Sequence, residues 1–277
     1  MKHALTIDLE DWYHGLTSTN KRPETWASLS SRTEQAVELL LDLLAANKLH
    51  GTFFVLGDLA QKCPSVIRQI AAAGHDLGSH GFSHRPVHLL KPTEFKSELD
   101  RTTQIIQDIS GLAVTGFRAP YFSIDQRCLW AFEVLAESGY QYDSSVFPLR
   151  TILYGYPGAS RHPFRPLPGA ELVEYPVATI KVAGLTLPAA GGFYFRIYPY
   201  GFIRWSLRSL EKQGQSGVLY MHPWEFDLQQ PRIPVTFRER ITHFAGRSSW
   251  PEKLKRLSRD FELVPLGELH RLWLQRN

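Results

Sequence analysis

Ala4-Leu5-Thr6-Ile7-Asp8-Leu9-Glu10-Asp11-Trp12 is the stretch that decides the fold. Its first four residues make a short buried-type run, and three acids follow at once, which reads as a core strand whose C-terminal end carries charge. In parallel α/β folds reactive groups gather where strands end, because loops there vary without disturbing the core. Three carboxylates crowded at such a point repel one another unless a cation or solvent relieves them. A solvated acidic turn or a helix cap fits the same residues, so the stretch alone leaves both readings open.

Outward from it, strands and helices alternate. Ser30 or Ser31 can cap a helix carrying Val37, Leu40, Leu41 and Leu44 at helical spacing. Thr52-Phe53-Phe54-Val55-Leu56 reads as a strand, 64–73 as a helix, and 74–79 as a turn with a short strand. Pro92 opens a long amphipathic helix with Leu99, Thr103, Ile106 and Ile109 on one side. Strands follow at 114–117 and 140–143 around a helix at 125–137. This order predicts parallel pairing and an α/β fold. Between about 149 and 199 the rhythm breaks into Pro-, Gly- and aromatic-rich loops with one β excursion near 172–182. It resumes with a helix at 200–213, a strand at 217–221, a helix at 235–245, a strand at 261–264 and a helix at 266–273. The expectation is one domain over 1–277, its middle an insertion rather than a second domain.

Composition excludes several classes. The 277 residues are 43% hydrophobic and 21% charged, close to globular averages. A net charge of +4 without a Lys/Arg cluster argues against a nucleic-acid partner. The first apolar run is too short for a membrane span or a signal core, so the cytoplasm is the expected compartment. Cys63 and Cys128 lie far apart in unrelated contexts and are expected as free thiols. Oligomeric state is left open.

Three further segments carry chemistry-bearing side chains. His80-Gly81-Phe82-Ser83-His84 places two imidazoles four apart, able to reach one cation from a helical turn or across a tight loop. Arg118-Ala119-Pro120-Tyr121 follows a strand, where a guanidinium can fix a carboxylate by two parallel hydrogen bonds. Val218-Leu219-Tyr220-Met221-His222-Pro223 delivers a histidine at the end of a late strand. Taken singly each also fits a packed or structural role. A carboxylate with two histidines is a ligand set that leaves positions open for water and substrate.

Together and in this order, the motifs resemble the polysaccharide deacetylases of carbohydrate esterase family four, the NodB-homology group. Asp8-Leu9-Glu10-Asp11-Trp12 and His222-Pro223-Trp224-Glu225 look like its exosortase-associated and peptidoglycan-deacetylase-like branch. The resemblance covers about 3–147 and 215–227. It implies a distorted (β/α) barrel that removes acetyl groups from N-acetylated sugars. It also implies Zn²⁺ or another divalent ion held by Asp11, His80 and His84. The family's adjacent Asp-Asp is here spread over Asp8-Leu9-Glu10-Asp11, so Asp11 is expected as the metal carboxylate and Glu10 is the alternative. Gly81 stands where the family has Ser or Thr. The implied roles are Asp8 as general base oriented by Arg118, the Tyr121 N–H as oxyanion donor, and His222 as general acid. Aromatic residues beside the motifs, foremost Trp224, Tyr121 and Trp12, are candidates to contact sugar. Asp143-Ser144-Ser145 resembles a further family motif that could fix Arg118 or cap a turn. His14, Glu225 and Arg196 are candidates to touch substrate or support the site. A cyclic-ureide or imide amidase on the same barrel and a silent carbohydrate-binding relative are the rival readings; a lidded pocket would favour the small molecule, an open groove the glycan.

Overall fold

The strand β1 (Lys2–Leu9) is buried along all but its first residue and organises the sheet. Such burial on both faces is what a central parallel strand requires, and the run of apolar and β-branched residues supplies it. The structure, a computed structural model, describes residues 1–149, 151, 155–189 and 191–276. The parts of the expected loop region at 150, 152–154 and 190 lie outside the described residues.

Beyond β1 come β2 (Thr52–Val55), β3 (Asp76–Ser79), β4 (Gly116–Phe117), β5 (Tyr142–Asp143) and β6 (Val173–Glu174). They pair in parallel in that order outward from β1. A hairpin follows, β7 (Thr179–Val182) against β8 (Leu185–Pro188), antiparallel and outside the main sheet. The chain then returns to β1. There β9 (Val218–Met221) pairs with residues 4–7, and β10 (Glu262–Val264) pairs with residues 2–4, both in parallel. A bond from the Ala178 N–H to Val218 O at 3.1 Å ties the segment before β7 to β9. The result is a curled parallel sheet wrapped by helices, the distorted (β/α) barrel expected from the sequence. Both ends of the chain contribute strands to that one sheet.

The helices Thr33–Ala46, Pro64–Ala72, Pro92–Ser110, Tyr200–Lys212, Phe237–Phe244 and Leu266–Leu274 stand where periodicity puts them. Pro92–Ser110 stops at Gly111, whose φ of 70° is left-handed and costs a glycine little. The helix expected over 125–137 begins only at Trp130. The Asp125 carboxylate accepts the Arg127 N–H at 2.9 Å and binds its guanidinium, a local turn that competes with helix. The β excursion is cut in two, into β6 and β7, around Pro176. Among the helices not anticipated are Gly192–Ile197 and Trp250–Asp260. The second buries Trp250, Leu254 and Leu257, a spacing visible in the sequence. Both cysteines are free. Among the described residues no helix is long and apolar enough to cross a membrane.

Candidate active site

Side chains alternate across a strand, so Thr6, Asp8 and Glu10 share one face as β1 runs out into the cleft. Asp11 breaks that series. Its carboxylate accepts the N–H of Trp12 at 2.8 Å, the N–H of Arg32 at 3.1 Å and the Thr33 hydroxyl at 2.9 Å. The Arg32 N–H and the Thr33 hydroxyl stand at the start of the Thr33–Ala46 helix, whose first amides lack intrahelical partners and whose dipole favours a negative charge. Burial pushes the Asp11 carboxyl up, while hydrogen bonds from Ser31, Trp12, Thr33 and Arg32 work the other way. The expected metal carboxylate therefore sits on a helix start, away from the paired histidines. It shares the capping expected of Ser30 or Ser31 with Ser31, whose hydroxyl accepts the Thr33 N–H at 3.3 Å.

Glu10 stands in its place. Its Oε1 lies 3.2 Å from His80 Nε2 and 2.8 Å from His84 Nε2. The histidines converge across a tight loop rather than a helical turn, with His84 at a left-handed φ of 56°. His80 Nδ1 lies 2.7 Å from Arg118 O, a group that only accepts, so the proton is on Nδ1 and Nε2 is bare in the neutral ring. A bare nitrogen facing a carboxylate oxygen is repulsive unless a proton or a cation lies between them. Burial opposes ionisation of Glu10, yet His84, His222 and His80 hold its carboxyl well below the usual range. The three ligand atoms lie within 4.8 Å of one another. Ligands on a tetrahedral zinc sit about 3.3 Å apart, so the donor set suits a divalent ion. An imidazole locked through its other nitrogen to a carbonyl is the usual support for such a ligand.

Asp8 is next to this set and is held by Arg118 Nη1 at 2.8 Å. The guanidinium does not form the parallel pair of bonds expected. It gives Asp8 one bond and spends the others on the Thr6 hydroxyl at 2.6 Å, Ser144 O at 3.0 Å and the Ser144 hydroxyl at 2.8 Å. It also lies over the Phe54 ring at 4.4 Å. Arg118 is wholly buried. In the Asp143-Ser144-Ser145 segment it is thus Ser144 that reaches Arg118. Asp143 accepts from the Ser145 hydroxyl and lies beside Glu174, and burial raises both of these carboxyls.

His222 leaves the end of β9 on the far side of Asp8, its Nε2 4.0 Å from Asp8 Oδ2. Its Nδ1 is 3.2 Å from Glu225 Oε2. Burial works against charging this ring, but Glu10, Glu225 and Asp8 outweigh it and hold its pKa up at about 9. Tyr121, at a left-handed φ of 58°, lines the same cleft, and burial keeps its phenol protonated.

The aromatic candidates divide. Trp12 is 1% exposed, packs with Tyr13, Leu16 and Trp224, and donates to Ser30 O at 3.1 Å, so it is core rather than a sugar platform. Trp224 lines the cleft but stacks on His243 at 4.2 Å and lies nearly parallel to His222 at 5.1 Å. The half-buried Trp26, absent from the sequence reading, lines an adjoining groove of about 480 Å³ with Tyr121, Lys21, Arg85 and Leu89. Thr17, His84 and Tyr121 border both spaces. No motif surrounds Trp26, and only the folded chain brings it there. Across the cleft Gly191 and Gly192 press on the Tyr220 ring, where a Cβ on Gly191 would come within 2.0 Å of it. His14 accepts the Asp11 N–H at Nδ1, which leaves its proton on Nε2.

Comparison with known proteins agrees with this architecture. Residues 24–142 match the polysaccharide deacetylase family model, and residues 144–271 match a domain of unknown function, DUF3473. A peptidoglycan-N-acetylglucosamine deacetylase of Bacillus cereus is 33% identical over 95 residues, 34% of this chain and 34% of that protein. A chitin deacetylase of Colletotrichum lindemuthianum is 35% identical over 94 residues, 32% of this chain and 38% of that one. The matched region thus spans little more than a third of these curated relatives. Among solved structures, one from Mycobacterium smegmatis assigned to the polysaccharide deacetylases superposes with a TM-score of 0.65 at 21% identity, covering 98% of this chain and 88% of that one. A carbohydrate esterase family 4 pseudoenzyme from Bacillus anthracis superposes at 0.53 with 12% identity, over 97% of this chain and 65% of that one. Residues 24–142 thus carry a polysaccharide deacetylase domain, and the segment matched by DUF3473 completes the same sheet.

Proposed function

We propose that this protein hydrolyses the N-acetyl group of an N-acetylated sugar within a polysaccharide, oligosaccharide or peptidoglycan-like chain. The observation that carries the reading is one cleft holding a cation-ready set, Glu10, His80 and His84, with Asp8 and His222 only 4.0 Å apart beside it. Glu10, His80 and His84 would hold a divalent cation, zinc in the first instance, which when bound polarises the acetamide oxygen and lowers the pKa of water.

The chain's own residues supply the proton movements. Asp8, kept in one orientation by Arg118, takes a proton from the attacking water. The Tyr121 N–H, on its left-handed turn, faces the oxygen on which charge develops, where one preorganised donor contributes about 3–4 kcal/mol. His222 protonates the departing amine, a step that an amide needs because its nitrogen anion leaves poorly. Acetate and a free amino sugar result. The groove beside the cleft, with Trp26 and Tyr121 along it, suits an extended glycan better than a closed pocket for a cyclic imide. Retention of base, ligand set and proton donor together disfavours a silent carbohydrate-binding role.

The test is acetate release from chito-oligosaccharides and peptidoglycan fragments, with and without chelator. Chelator should abolish turnover and added zinc restore it. His222→Ala should lower kcat about 10²- to 10⁴-fold with metal content retained. Full turnover in both the chelated enzyme and this variant would end the proposal.

A further inference from the structure

The Asp143 carboxyl is engaged with Ser145 and Glu174 and does not reach the proton donor in any contact found among the described residues. His222 is held instead from within its own turn. Glu225, fully buried, accepts the His222 N–H through Oε2 at 2.9 Å and contacts His222 Nδ1 through the same oxygen at 3.2 Å. Its other oxygen, Oε1, lies 2.8 Å from Arg196 Nε. Arg196 is itself 3% exposed, and its remaining nitrogens donate to the carbonyls of Thr242, His243 and Ala245 at the end of the Phe237–Phe244 helix. Carbonyls at a helix C-terminus are short of donors and carry partial negative charge, so they seat a guanidinium well.

Every member of this chain of contacts belongs to the segment matched by the domain of unknown function, residues 144–271. The deacetylase-family segment supplies His80, His84 and Arg118. From this we infer that Arg196 and Glu225 are positioning residues for the proton donor, and that the DUF3473 segment serves in this fold to deliver His222 to the cleft in a fixed orientation. Glu225 accepts from Nδ1–H and so leaves Nε2–H pointing toward Asp8 and the scissile nitrogen. The Arg196 guanidinium, 2.8 Å from Glu225 Oε1, favours the ionised form of this fully buried carboxylate. The arrangement matches the acid–imidazole pairing of hydrolases in which a buried carboxylate sets the tautomer of a working histidine.

The groups facing His222 are Glu10 and Asp8 from the end of β1, Glu225 and Arg196 from the DUF3473 segment, and His243, which burial and the neighbouring arginines keep neutral. Removing the Glu225 charge leaves the two β1 acids in place, so its effect can be read separately from theirs.

The inference rests on His222 being the proton donor, and the experiment separates the two. Glu225→Gln keeps the shape and removes the charge. In zinc-loaded protein the His222 titration midpoint, followed by NMR, should fall relative to wild type. kcat should drop about 10- to 100-fold, the size usual for supporting groups one contact removed. The basic limb of the pH–kcat profile should move to lower pH, with KM and zinc content unchanged. Arg196→Lys, which keeps charge but loses the fork, should move the same readouts less. An unchanged His222 midpoint or an unchanged kcat in Glu225→Gln overturns the inference. If His222→Ala is inactive while Glu225→Gln behaves as wild type, only the positioning role falls. If His222→Ala is itself fully active, the proposed function falls with it.

Discussion

The ligand side of the cleft and the proton-donor side are held by different means. Glu10 follows the central strand directly, and His80 and Arg118 are set by ladder bonds between neighbouring strands, His80 N–H to Val55 O at 2.8 Å and Arg118 N–H to Ser79 O at 2.9 Å. His222 also ends a strand, but its ring is governed by side chains, Glu225 and then Arg196, and through them by a helix terminus. A site set by backbone tolerates changes in its neighbours. One set by a run of buried side chains transmits each change to the next. The ligand side should therefore fail all at once and the donor side by degrees.

The largest effect should come from the ligands. Glu10→Gln and His84→Ala should each remove bound zinc, read by metal analysis, and lower acetate release at least about 10³-fold, whereas Asp11→Asn should retain the metal. Zinc kept by Glu10→Gln and lost by Asp11→Asn would invert the assignment. Smaller, Trp26→Ala should raise KM for a tetrasaccharide about 3- to 10-fold without changing kcat, as loss of one aromatic contact worth about 0.5–1.5 kcal/mol. Of similar size but on stability alone, Asp11→Ala should cost about 1 kcal/mol in denaturant unfolding, the usual value of a helix cap.

The mildest effect concerns pH and sharpens the comparison most. The His222 pKa is raised in the folded, metal-free protein to about 9, above the ordinary histidine value near 6.5. Its charged form thus stabilises the fold fully below about pH 6.5, and that contribution is lost as pH rises through about 9. A divalent ion on Glu10 cancels one of the charges that hold His222 up. Zinc loading should consequently lower the His222 midpoint, and unfolding of the zinc-loaded protein should depend less on pH across this window.

The barrel was legible because parallel strands buried on both faces and helices with apolar stripes write their periods into the chain. Asp8, His80, His84, Arg118 and His222 were each marked by a strand end or a paired spacing. Glu10 was passed over for Asp11 although the strand's two-residue period puts Asp8 and Glu10 on one face. The helix cap that occupies Asp11 depends on Arg32 and Thr33, residues without a local signal of it. The Trp250–Asp260 helix carries its apolar spacing in the sequence, whereas the place of Trp26 and the partners of Arg196 depend on contacts between distant segments. The tightest of these, Gly191 against the Tyr220 ring, gives no periodicity to read.

The cap formed by Asp11 has a consequence for how this motif is surveyed. An alanine scan scored by turnover alone would find Asp8, Glu10 and Asp11 all damaging and would award the third a ligand's role. The injury at Asp11 would in fact be architectural, a loosened helix displacing its neighbours, and cooling or an osmolyte should rescue it where no added ion can.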